Sequence, residues 1–227
     1  MCFSPEMDLI AGVTISAVGI DTLRRTASPR QLALASLPLL FGVHQLVETF
    51  VWWELQGKVC HEAGGVAARI YLFIALFLVP IIAPLAFALL RTGRWPTLDG
   101  LYVVCGAIAG GAGLLALLDG PVGRAIEGHH LTYQVDQPLV GLVLFLYVVA
   151  TCAPGLSARS RPLALFGIAN LVAVSALAVI AQTAVVSLWC FWAAITSVLI
   201  NLHLRRLDVA ARGADPADQS HPRNQTV

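Results

Sequence analysis

Apolar stretches close to the roughly 20 residues that a helix needs to cross a bilayer recur along almost the whole of this 227-residue chain. With 58% hydrophobic and only 12% charged residues, the sequence is too apolar for a water-soluble domain, in which about a quarter of the residues are charged. The expected fold is an all-α, seven-transmembrane-helix bundle. Its spans fall at about Met7 to Leu23, Gln31 to Leu55, Ile70 to Leu90, Leu101 to Leu118, Leu139 to Ala153, Leu163 to Ala181 and Val185 to Leu204. The last two form one apolar run of about 42 residues, too long for a single crossing, and divide at a tight turn near Gln182 to Ser187. Residues 1–204 are then the transmembrane domain. Residues 205–227, polar with Gly, Pro and Asp, make a disordered cytoplasmic tail. No positive region precedes the first apolar run, so the first span is expected to be retained rather than cleaved as a signal peptide.

The basic residues orient this bundle. Arg24, Arg25 and Arg30, Arg91 and Arg94, Arg159 and Arg161, and Arg205, Arg206, Arg212 and Arg223 follow spans one, three, five and seven. The other side holds only Lys58, Arg69 and Arg124, and eleven against three places the N-terminus outside and the C-terminus in the cytoplasm. A net charge of +1 leaves no basic surface for nucleic acid. The preference for Arg over Lys, with abundant Ala, Leu and Gly, suits a GC-rich bacterial genome and hence the inner (plasma) membrane.

Sorting the polar residues by side brings one set together at the outer face. Span two carries Phe41, His44, Gln45, Glu48, Trp52 and Trp53, and spacings of three and four put His44, Glu48 and Trp52 on one stripe. Glu48 lies about 10 Å below the outer end, deep enough to require a partner. The outer loop from Asp119 to Gln137 contains Glu127-Gly-His129-His130-Leu-Thr-Tyr133. Cys2 and Ser4 precede span one, Cys60, His61 and Glu62 follow span two, and Ser187-Leu-Trp189-Cys190-Phe-Trp192 opens span seven. Cys105 and Cys152 fall near cytoplasmic ends, away from this set.

The opening Met-Cys-Phe-Ser, the run Phe-Gly-Val-His-Gln-Leu-Val-Glu followed by Val51 and Trp52, the His129-His130-Leu-Thr-Tyr133 loop and Ser187-Leu-Trp-Cys-Phe-Trp-Ala-Ala resemble a bacterial multi-pass membrane-protein family of unknown function. The resemblance spans nearly the whole chain. It implies recurring positions at Cys2, Ser4, Gln45, Glu48, Trp52, His129, His130, Tyr133, Trp189 and Cys190. The chain departs from that pattern at His44, where Gln is usual, and at Pro5 to Asp8, where small and hydroxyl residues are commoner.

Several chemistries fit these residues. A metal site would draw on His129, His130, Glu48, Cys2 and Cys190, a set suited to zinc or another transition metal. In the structural alternative, the His-His-Tyr loop folds into the bundle mouth and Glu48 accepts its hydrogen bonds. Glu48, His130 and Tyr133 also suit acid–base catalysis on a small amphiphile or lipid, although no Gly-x-Ser-x-Gly or His-Glu-x-x-His motif supplies a nucleophile or zinc pair. Cys2, Cys60 and Cys190 are either free thiols or a disulfide pair and a remainder. Trp52, Trp53, Trp189 and Trp192 suit an interfacial belt better than a ligand cage. Seven-span zinc hydrolases place paired histidines on the last span, where only His203 stands. Retinal proteins need an intramembrane Lys, and Lys58 is in a loop. A small-solute transporter using Glu48, Asn170, Gln182 and Pro80/Pro84 is the competing class, and a structural or partner-binding subunit is a third. Against transport, the glycines of span four, Gly106, Gly110, Gly111 and Gly113, read as close helix packing.

Overall fold

The computed structural model describes residues 4–26, 28–90, 97–128, 130–157, 164–165, 167–168, 170–172 and 194–206. Helix α1 (Pro5–Arg24) starts where Ser4 accepts a hydrogen bond from the Met7 amide at 3.3 Å, with Pro5 pre-set for the first turn. Its buried residues Pro5, Asp8, Gly12, Ile15, Gly19 and Thr22 recur every three or four positions and form one face. That face meets α2 (Leu32–Leu55) at very close range, because Gly12 lies over Leu46, Gly19 over the Leu39 backbone and Gly42 over Ser16. Small residues let two helix backbones approach until dispersion and Cα–H contacts hold them, without any hydrophobic drive.

Residues His61–Leu90 run as one helical rod made of α3 (His61–Phe73), a wider π turn (Ile74–Leu78) and α4 (Val79–Leu90). Its widening has a local cause. The Val79 amide reaches back to the Ile74 carbonyl, and the next carbonyl in that register, Ala75, faces Pro80, which has no N–H to give. The Tyr147 hydroxyl donates to it instead at 3.1 Å. Pro84 likewise deprives the Pro80 carbonyl of its helical donor, and α5 (Thr97–Asp119) sets Gly106 directly against that oxygen. Gly110 and Gly113 continue the crossing over Phe77 and Leu76, whereas Gly111 faces open space.

After α5 the chain forms an antiparallel hairpin, β1 (Gly123–Glu127) and β2 (His130–Gln134), before α6 (Val140–Leu156). The fold is therefore mostly helical rather than all-α, because the segment between α5 and α6 takes strand pairing. Arg124 opposes Tyr133, Ile126 opposes Leu131 and Glu127 opposes His130 across a two-residue turn in which Gly128 has φ 62°. A lone two-stranded ribbon is barely stable in water. This one is anchored by Leu131, which is buried among Val51, Trp52, Ala67 and Ala68.

Three described stretches, Pro29–Leu55, His61–Leu90 and Thr97–Asp119, are long and apolar enough to cross a membrane, and Val140–Leu156 is a shorter apolar helix. They coincide with expected spans two to five, except that the third helix begins at His61 rather than Ile70. Helix α1 coincides with span one. Most of expected spans six and seven lies outside the described residues, but 194–206 is helical. Its Ile200 and Leu204 join Leu34, Ala35, Leu37 and Ala86 in a core cluster at the end of the molecule holding Arg24, Arg25 and Arg30. There Asp21 binds Arg205 at 2.7 Å and Arg25 at 2.9 Å, and Asn201 donates to Asp21 and Thr22. The Tyr102–Ser157 hydrogen bond at 2.8 Å joins the α5 start to the α6 end, which places the buried Cys105 and Cys152 away from the hairpin.

Candidate functional site

The α2 stripe read from the sequence is buried as a unit: His44, Gln45, Glu48 and Trp52 are all at most 4% exposed, and Glu48 is completely enclosed. Three other elements bring polar groups to it. Helix α1 contributes Asp8, whose carboxylate accepts a hydrogen bond from the Trp52 indole at 2.9 Å. From α3 comes Tyr71, hydrogen-bonded to Glu48 and stacked on His44 with ring centres 3.8 Å apart. Strand β2 adds Tyr133, stacked on the far side of Tyr71 at 4.8 Å. Trp52 is one helical turn from Glu48 on the same face, so its bond to Asp8 sets the two carboxylates beside each other.

Tyr133 stands at the hairpin side of this column. Burial pushes its phenol well above the ordinary tyrosine value, and the Glu48 and Asp8 carboxylates push it further, against a small opposing pull from Arg124. The phenol thus keeps its proton as a donor. Its oxygen and His130 Nε2 are both buried and have no hydrogen-bond partner among the described residues.

A second cluster fastens the hairpin. Arg124 Nε donates to Glu54 Oε2 at 2.8 Å, His61 Nδ1 to Glu54 Oε1 at 2.7 Å, and Arg124 Nη2 to the His61 carbonyl at 3.2 Å. The Arg124 and Glu54 side chains are only 10% and 7% exposed, so the pair is scarcely screened. Arg124→Ala is expected to loosen the hairpin by about 2–3 kcal/mol. Amide exchange at residues 123–134 should accelerate at least tenfold while exchange inside α2 stays unchanged, with Arg124→Lys falling between.

Of the predicted site residues, Glu48 and Tyr133 come together, and His130 lies at the tip of the same hairpin. Cys2, His129 and Cys190, with Trp189 and Trp192, lie outside the described residues. Among the described residues no three His, Cys, Asp or Glu side chains group closely enough to hold a metal ion, and Cys60 is an exposed free thiol. Trp52 departs from the interfacial belt expected of it, being 4% exposed with its N–H committed to Asp8. Trp53 is half-buried, edge-on to Phe50 at 5.2 Å.

Sequence reasoning missed Asp8 and Tyr71. The signal for Asp8 was its position on the Gly12–Ile15–Gly19 face of span one, where a carboxylate would be enclosed. Tyr71 carried no comparable signal, since an aromatic near a span end is ordinary.

No curated protein and no solved structure matches the chain. A family model described as a family of unknown function (DUF6629) matches residues 1–215, nearly the full length, and includes every residue of the site. The chain belongs to this family of unknown function, DUF6629.

Proposed function

We propose that the chain is a multi-pass membrane protein of seven spans, N-terminus outside, whose outer end binds a cation or the cationic head of a small ligand between Asp8, Glu48, Tyr133 and His130. Large apolar side chains such as Ile10, Val13, Val104, Ile108, Leu142 and Phe145 point outward from the helices, as a lipid-facing surface requires. Arg24, Arg25, Arg30, Arg205 and Arg206 gather at the end opposite Trp52 and the hairpin, which supports reading the site's end as the outer one.

The observation that carries the reading is the pairing of two enclosed carboxylates, Asp8 and Glu48. Two buried carboxylates side by side repel strongly unless a proton or a cation enters between them. A transition metal such as zinc is one such cation, with Cys2, His129 and Cys190 as its further ligands; an ammonium head is another. Transport is less well supported, because the interrupted rod His61–Leu90 is sealed along Pro80 by the glycines of α5.

Elemental analysis and thermal unfolding of the purified protein in detergent, with and without zinc or ethylammonium, test the reading. One of these cations is expected to raise the unfolding midpoint of the wild type and to lose that effect in Glu48→Gln. If neither does so, the binding reading fails.

A further inference from the structure

A cavity of about 330 Å³ is lined by the stacked rings of Tyr71 and Tyr133. Volumes of roughly 300–1,000 Å³ are typical of sites for small organic ligands. Below the two tyrosines its walls are Leu72, Leu76, Ala109, Gly113 and Val143, with Tyr147 among them. The Tyr147 hydroxyl is turned into the π turn, where it donates to Ala75, so that ring too presents carbon to the space. Gln137 is the polar group among the side chains around it apart from the tyrosines. The same Tyr71 that lines the cavity is bonded to Glu48, and the same Tyr133 has a buried hydroxyl without a partner among the described residues. The stacked tyrosines therefore border both the acidic site and the apolar chamber.

We propose that the ligand is a single-chain cationic amphiphile, whose ammonium head sits at the Asp8–Glu48–Tyr133 site and whose alkyl chain fills the cavity between the π turn, α5 and α6. Charge complementarity fixes the head, because Asp8 and Glu48 supply acidic acceptors and Tyr133 an uncommitted hydroxyl. The walls fix the tail, since a hydrogen-bonding ligand would find its polar groups unmet among Leu72, Leu76 and Val143. A zwitterionic or anionic head is disfavoured by the same two carboxylates. Such a ligand would arrive from the bilayer, where its chain already resides and its head already lies at the level of the hairpin.

This inference rests on the cation-binding reading above, and the test separates the two. Wild-type protein and Val143→Trp, which fills the chamber from α6, are compared in the same micelles so that partition of the probe cancels. Equilibrium dialysis measures binding of ethylammonium, octylammonium and octanoate. Each methylene buried in the chamber is expected to tighten binding about threefold. Octylammonium should therefore bind the wild type at least tenfold more tightly than ethylammonium does, and octanoate should not compete. Val143→Trp should bind both ammonium probes with the affinity the wild type shows for ethylammonium, and Glu48→Gln should bind neither. If ethylammonium binds but the longer chain gains nothing that Val143→Trp removes, the amphiphile inference is overturned and cation binding stands. If no ammonium binds the wild type, the amphiphile inference is overturned, and cation binding then stands or falls on the zinc measurement. Competition by octanoate equal to that of octylammonium would show that the chamber takes chains without regard to the acidic site, which also overturns the proposal.

Discussion

Gly19→Ala and Gly106→Ala should each destabilise the protein by about 2–4 kcal/mol, while Gly111→Ala should leave it unchanged or stabilise it by up to about 1 kcal/mol. A methyl carbon at Gly19 would stand 2.6 Å from the Leu39 Cα, and one at Gly106 would stand 3.0 Å from the Pro80 carbonyl carbon and closer still to its oxygen. Both obstacles are backbone, so relief requires a shift of whole helices. Gly111, five residues along the same helix, meets nothing within 4 Å, and there only the helix propensity of Ala is left to act. Unfolding titrations in mixed micelles check the contrast, and equal stability of Gly106→Ala and Gly111→Ala would remove the account of how α5 seals α4. The effect at Gly106 should exceed that of an ordinary crossing, because the Pro80 oxygen has lost its Pro84 donor and depends on the close approach of α5.

Much of this arrangement is legible in the sequence. Three- and four-residue spacing put His44, Glu48 and Trp52 on one face, and that face is the enclosed one, because helical periodicity is a property of local sequence. The crowding of Gly106, Gly110, Gly111 and Gly113 foretells close packing, which three of these four positions show. Distant partners are less accessible. Asp8 stands in the sequence as a departure from the family pattern, and only the crossing of α1 over α2 reveals that it meets Trp52. The hairpin's local signal is weak: two five-residue segments separated by Gly128-His129, with Leu131, Thr132 and Tyr133 suited to a strand. In so apolar a chain, helical crossings dominate the reading, and a short polar ribbon between them passes as loop. The column His44–Tyr71–Tyr133 draws on α2, α3 and β2, and no local pattern couples three elements.

Trp52→Phe should cost about 3 kcal/mol, more than the loss of a ring nitrogen from a core side chain would by itself. The indole N–H is the hydrogen-bond donor that the described residues give Asp8, and a carboxylate left enclosed without it bears its full desolvation cost. Removing both charge and donor, in Asp8→Leu with Trp52→Phe, should recover most of that loss, so the double-mutant cycle should show a coupling of at least about 1 kcal/mol. A cycle that closes additively would mean the bond contributes nothing. The same double variant separates two roles for Asp8. If its carboxylate only tethers α1 to α2, the repacked protein should respond to ammonium or zinc as the wild type does. If it forms half of the site with Glu48, the stabilised double variant should keep its fold and lose that response. We expect the second outcome, because a structural tether does not need a carboxylate. A neutral Asn or Gln accepts from an indole as well, whereas placing a second acid against the enclosed Glu48 adds repulsion that a bound cation or proton relieves.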